Sequence, residues 1–361
     1  MTSARFYITE GTRIFYTSWK NRIKKKKYVA GDAKAICKKI VDECWNGRFF
    51  QTSTTNFPQF WTRDFGLCTR SLMTMRQQDK IHHTIRYALN RFKKYNQITT
   101  TITPKGRPYN FPTEAVDSLP WLIHSMLVSK FPYYEHKSFL NKMIKRFFET
   151  CIDDHTGLVK PNEHFSAMKD FSVRKSSCYD NSMVALLAKE CKTMKLYNPF
   201  EKYDYPSLIK RHFWSGEYFY DDLQKKKYVA GDANLFPFAL GIISDRDMMK
   251  SAIHAIEDSG LAEPFPLKYT NSRDNVTFIP QEIFLRNYES DAIWMHMGPL
   301  FVKLVQQVNV EKANVYKQKY TDLIEKHKNF LEVFTATEKP YSNPFYYSAS
   351  GMLWAANYTS L

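Results

Sequence analysis

Residues 60–67 read Phe-Trp-Thr-Arg-Asp-Phe-Gly-Leu, an Arg63–Asp64 pair set among Phe60, Trp61, Phe65 and Leu67. A guanidinium and a carboxylate enclosed by apolar side chains are costly unless each is hydrogen-bonded or faces a polar pocket. Two readings follow. Asp64 caps the helical stretch that begins there or pairs structurally with Arg63. Alternatively, the two groups hold adjacent hydroxyls of a sugar while Trp61 covers the apolar face of the ring. A second polar cluster, Tyr179, Asp180 and Asn181, lies in "SSCYDNSMVALLAKE", where Asp180 or Asn181 can cap the helix that follows and Tyr179 and Asn181 are candidates to bind substrate. Arg286, Asn287 and Asp291 make a polar, aromatic-flanked approach to a late helix and are able to contact a substrate. Of the tryptophans, Trp61, Trp214 and Trp294 are the expected sugar-facing platforms, the other aromatics being core.

Metal chemistry is not signalled. The six cysteines are scattered, without a C-x-x-C pair or a Cys/His cluster at zinc spacing, and read as reduced core thiols. His155, His164 and His296 read as structural. Neither a metal nor another cofactor is expected.

These groups need a scaffold, and helical periodicity supplies it. In "EHKSFLNKMIKRFFETC", Phe139, Leu140, Met143, Ile144, Phe147, Phe148 and Cys151 share one stripe, opposite Lys and Arg. Similar patterns near 33–46, 65–78, 81–95, 113–130, 179–196, 206–213, 233–243, 246–258, 289–307, 311–334 and 349–358 predict about twelve helices. Between every second pair lie long aromatic-rich segments: 47–62, 99–112, 153–178, 214–232, 259–288 and 335–348. Such lengths exceed simple connectors. The alternation predicts an all-α toroid of helix pairs, the (α/α)6 plan, in one domain over 1–361, with long loops and small β-hairpins at one rim. Residues 1–30 read as a basic lead-in. The nonapeptide "KKKYVAGDA" occurs at 25–33 and 225–233, which places Asp32 and Asp232 as helix N-caps.

The formal charge is +16, with lysine runs at 24–27 and 225–227. That charge leaves polyanion binding open. No nucleic-acid motif accompanies it, so a solvated basic surface is the preferred reading. No stretch is apolar for the length of a membrane span or a signal-peptide core, so a cytoplasmic protein without a membrane partner is expected.

"FWTRDFGL" is similar to the Trp-Thr/Pro-Arg-Asp motif of glucoamylase-type glycoside hydrolases and resembles the Arg-Asp-Phe motif of the neutral invertases. "SSCYDNS" resembles the Ser-Gly-Trp-Asp-Asn/Phe-Ser segment of trehalases and processing α-glucosidases, with Tyr179 in place of the tryptophan. "NFLEVFTATEKPYSNPFYYSASGMLWAANY" is similar to the Glu-x-Tyr ending of the same superfamily, the six-hairpin (α/α)6-barrel glycosidases. The resemblance implies that Arg63 and Asp64 contact the terminal sugar, that Asp180 is the catalytic acid and that Glu332 is the base. Glu338 and Glu289 are reserve candidates for the base. It implies an inverting hydrolase acting on glucosidic, chiefly α-linked, bonds of an oligosaccharide, glucan or disaccharide. In such chemistry one carboxylic acid protonates the leaving oxygen and a carboxylate activates water. The acid's pKa must be raised, by burial or by a neighbour such as Asp64 or Asp170. A phosphorylase or lyase on the same fold, or a non-catalytic carbohydrate- or nucleic-acid-binding protein, are the alternatives.

Overall fold

A computed structural model describes residues 4–361. Its inner helices are apolar on almost every side, and that fixes their place. Residues 178–187 are buried without interruption in α7 (Cys178–Thr193), as are 118–126 in α5 (Ser118–Ser129) and 231–238 in α9 (Gly231–Ala239). A helix that is apolar all round belongs inside the molecule. Together with α3 (Thr62–Thr74), α11 (Gly298–Gln306) and α13 (Ala355–Thr359), these helices close a ring in which each touches the next and α13 returns to α3. Outside them lie α2 (Ala33–Cys44), α4 (Gln78–Tyr95), α6 (Lys137–Cys151), α8 (Tyr205–Phe213), α10 (Arg246–Asp258) and α12 (Val310–His327). Each outer helix presents an apolar stripe to the ring, as α6 does with Leu140, Met143, Ile144, Phe147 and Cys151. The result is the predicted (α/α)6 toroid.

Connections alternate strictly in length. Inner-to-outer links run from three residues, as at 75–77 and 307–309, to eleven at 194–204, whereas every outer-to-inner link has seventeen or more. All six long loops therefore gather at the rim that carries the N-termini of the inner helices. Short strands brace them there. β1 (Phe60–Trp61) pairs antiparallel with β2 (Thr101–Ile102), with Trp61 opposite Thr101, and β2 pairs with β3 (Pro108–Tyr109). β4 (Ile293–Trp294) pairs antiparallel with β5 (Val333–Phe334), setting Trp294 opposite Val333.

Three expectations need correction. The basic lead-in holds a helix, α1 (Ala4–Lys24). Its seat on the body uses Ile14, Ser18 and Asn21, two of them polar. Asn21 donates to the Ser348 carbonyl at 2.9 Å and Ser18 to the Tyr347 carbonyl at 3.1 Å, so no apolar stripe announces the helix. The helices expected at 289–307 and 311–334 are shorter. Lys328 turns left-handed and ends α12, and the apolar runs around Trp294 and Val333 are strands. The repeated nonapeptide is used in two ways. Asp32 caps α2, accepting from the Ala35 amide at 2.8 Å, but Asp232 lies inside the first turn of α9 and caps nothing.

Candidate active site

At the loop rim lies a cavity of about 470 Å³. Five of the six long loops contribute to its wall; among the described residues, 214–230 gives none. β1 delivers Trp61 to the wall, and the first turn of α3 delivers Arg63 and Asp64 behind it. Asp64 does not cap that helix, whose N-cap is Trp61 with no side-chain bond. Arg63 Nε lies 2.8 Å from Asp117 Oδ2 at the head of α5, and its Nη2 donates to Asp170 Oδ1 at 3.5 Å. Burial opposes the guanidinium charge, but Asp117 and Asp170 overcome it and raise the Arg63 pKa. For Asp64 burial wins. The carboxyl is pushed up to about 7 against the pull of Arg63 and the Trp354 indole.

Glu332 lies immediately before β5 and opens into the same cavity. Its backbone is tied into the strand layer, with the Met295 amide donating to its carbonyl at 3.2 Å. Three donors hold the carboxylate: Tyr288 Oη on Oε1, and Tyr346 Oη at 2.6 Å and the Ala349 amide at 2.9 Å on Oε2. Burial raises its pKa, while these donors favour the ionised form. Asp170, on the loop before α7, is a second wall carboxylate. Ser166 Oγ donates to it at 2.5 Å, and burial raises its pKa against Arg63 and that hydroxyl.

Glu289 also reaches the wall, but its oxygens are engaged. They accept from the amides of Asp170 at 2.6 Å, Phe171 at 2.9 Å and Ser172 at 3.0 Å, and so hold the loop that carries Asp170. Burial and the charge of Asp170 push Glu289 up to about 7 despite those amides. The same loop is anchored below by a buried ion cluster. Lys169 Nζ lies 3.0 Å from Asp221 and 3.3 Å from Asp232, and Arg174 Nη1 lies 2.9 Å from Asp232. Asp232, expected as a cap, is therefore an anchor for the loop.

Of the residues singled out from sequence, Trp61, Arg63, Asp64, Trp294, Glu332 and the reserve Glu289 meet at this cavity. Asp180, Tyr179, Asn181, Trp214, Arg286, Asp291 and the reserve Glu338 are not on its wall. Asp180 sits in the first turn of α7, whose cap is Ser177, and is buried with Oδ1 unpartnered. Burial pushes it up to about 6 against Arg174 and Ser177. Tyr179 donates to Asp117 at 2.9 Å, and the Asn181 amide holds Ser176 and Ser177. Trp214 packs edge-on against Phe219 in the one long loop that stays off the wall. Sequence reasoning named Asp170 only as a neighbour able to raise the acid's pKa, and did not put Tyr288 or Tyr346 in the site. Asp170 is an acidic residue in a long irregular loop, and the two tyrosines become functional only through their hydroxyls' reach to Glu332. His296, expected to be structural and satisfied, lines the cavity with Nδ1 unpartnered, and burial lowers its pKa. No cluster of three metal-ligating side chains occurs among the described residues.

No protein-family model matches the chain. No curated protein matches it in sequence. Solved structures do match. A rhamnosidase from Klebsiella oxytoca with rhamnose bound is similar with a TM-score of 0.62 at 9% identity, over 92% of this chain and 64% of the rhamnosidase. A glycosidase is similar with a TM-score of 0.61 at 10% identity, over 99% of this chain and 97% of its own. A mannosylglycerate hydrolase from Thermus thermophilus, in complex with Tris and D-glycerate, gives 0.59 at 10% identity over 90% of this chain and 98% of its own. The fold is that of the six-hairpin (α/α)6 glycosidases.

Proposed function

We propose that the chain is a glycoside hydrolase in which Glu332 is the general base and Asp170 the general acid. The observation that carries this reading is that two buried carboxyl groups, Glu332 bonded by three donors and Asp170 by Ser166 and Arg63, open into one cavity. Glu332 is held by three donors, as a base that orients water must be. Burial raises both carboxyls; Asp170, which accepts from two donors against the three on Glu332, is assigned the proton for the leaving oxygen. The fold shared with glycosidases, among them one solved in complex with glucose, supports the class. Arg63 and Asp64 then bind sugar hydroxyls, Trp61 and Trp294 cover ring faces, and the unpartnered Trp61 Nε1 and His296 Nδ1 are free to bond hydroxyls. The reaction adds water to the anomeric carbon with inversion: Glu332 takes the water proton, the glycosidic C–O bond breaks, and Asp170 protonates the departing oxygen. An α-glucosidic bond is the first candidate.

Asp180 is assigned no part, because it is not among the residues that line the wall. Phosphorolysis finds little support: among the described residues Arg63 is the one Lys or Arg on the wall, and carboxylates already neutralise it. A panel of aryl glycosides in both anomers tests the reading, with NMR of the first-formed sugar. Asp170→Asn and Glu332→Gln should each lower kcat by about 10²–10⁴-fold, while Asp180→Asn continues to turn over. Full activity in both wall variants refutes the assignment. A folded but inactive Asp180→Asn beside an active Asp170→Asn returns the acid to α7.

A further inference from the structure

Sugar chemistry alone does not call for the aliphatic part of the cavity wall. Ile14, Ile279, Leu285 and Met352 stand on it beside the carboxylates. Aromatic rings stack on the C–H face of a pyranose, but branched aliphatic side chains offer a hydroxyl-bearing ring neither a stacking plane nor a hydrogen bond. The cavity volume of about 470 Å³ also exceeds what one hexose fills. Two wall residues carry the apolar character out to solvent: Phe15 of α1 is 37% exposed and Phe284 is 45% exposed. Phe345, 51% exposed, lies against both, with ring centroids 6.4 Å from Phe15 and 5.3 Å from Phe284. An apolar strip therefore runs from the cavity to the surface between α1 and the 279–285 segment.

We infer that the leaving group is apolar: the cavity takes a glycoside whose aglycone is an alkyl or aryl group seated on Ile14, Ile279 and Leu285 and directed outward along Phe15, Phe284 and Phe345. This rests on the hydrolase reading of the same site. The sugar occupies the end lined by Arg63, Asp64, Asp170 and Glu332. Water attacks the anomeric carbon, the bond to the aglycone oxygen breaks, and the proton from Asp170 leaves on the released alcohol or phenol.

The test compares methyl with octyl glycosides of glucose, mannose and rhamnose, in both anomers and below micelle-forming concentration, by kcat/KM and by calorimetric binding to the full chain. The octyl member should exceed the methyl member by about tenfold or more, since two buried methylenes suffice for that. In Phe284→Ser, at the surface, and Leu285→Ser, half-buried beside it, the octyl-to-methyl ratio should fall towards one. Hydrolysis of both members with equal kcat/KM overturns the apolar leaving group and leaves the hydrolase standing. Tighter binding of the octyl member without turnover of either overturns the hydrolase and keeps an apolar ligand. Equal binding, no binding, or a ratio unmoved by both variants overturns the inference.

Discussion

Replacing Asp64 by Asn should flatten the pH dependence of this protein's stability. Asp64 is 7% exposed, and burial moves its pKa from 3.8 to about 7. Over that window the native chain binds more protons than the unfolded one, so stability falls as pH rises. The contribution is fully present below the unfolded pKa and is lost as pH climbs through about 7. At about 1.4 kcal/mol per pKa unit, the ionised group costs about 4 kcal/mol by roughly pH 8, of which about 2.6 kcal/mol accrues above roughly pH 5. Asparagine cannot ionise, so the variant avoids the pH-dependent part whatever constant offset its amide introduces. Urea denaturation of both proteins, at fixed ionic strength and in steps across that range, gives the difference directly. The variant should gain on the parent by about 2–3 kcal/mol from the acid to the alkaline end. Parallel curves would refute the reasoning, since they would mean that Asp64 is ionised throughout and is not held in an apolar wall.

Two further expectations concern the frame around the site. Lys169→Met leaves Asp221 and Asp232 facing one another with Arg174 as their remaining ion-pair partner, and should cost about 3–5 kcal/mol in chemical denaturation. In the intact cluster burial favours the neutral acid, but Lys169 and Arg174 overcome it and hold Asp221 down to about 2; a variant as stable as the parent would show that the cluster anchors nothing. Gly298→Ala should destabilise by about 1–3 kcal/mol, because a Cβ there would overlap Tyr320 Oη and lie 2.5 Å from the Pro266 carbonyl. An unchanged Tm in that variant would mean that α11 and α12 leave room for a side chain between them.

The sequence by itself determined the ring. Twelve apolar periodicities, alternating short and long connections, and inner helices without a polar face leave few ways to bury that surface other than a closed double layer. It also marked Arg63 and Asp64, because charged groups inside apolar runs must find partners or a pocket, whereas Glu332 was marked only by the resemblance of its segment to the Glu-x-Tyr ending. Helix α1 escaped notice, since its seat is made of Ser18 and Asn21 bonded to carbonyls and carries no periodic signal. Only the tertiary structure could say which carboxylates line the cavity. Asp180 and Asp170 lie ten positions apart, and both are acidic residues near a helix start; one is sealed in the first turn of an inner helix, the other hangs on the loop above it. What separates them is a loop course fixed by contacts remote in sequence: Glu289 gripping three amides, Lys169 and Arg174 reaching Asp221 and Asp232. No local pattern encodes contacts made across about fifty to more than a hundred residues.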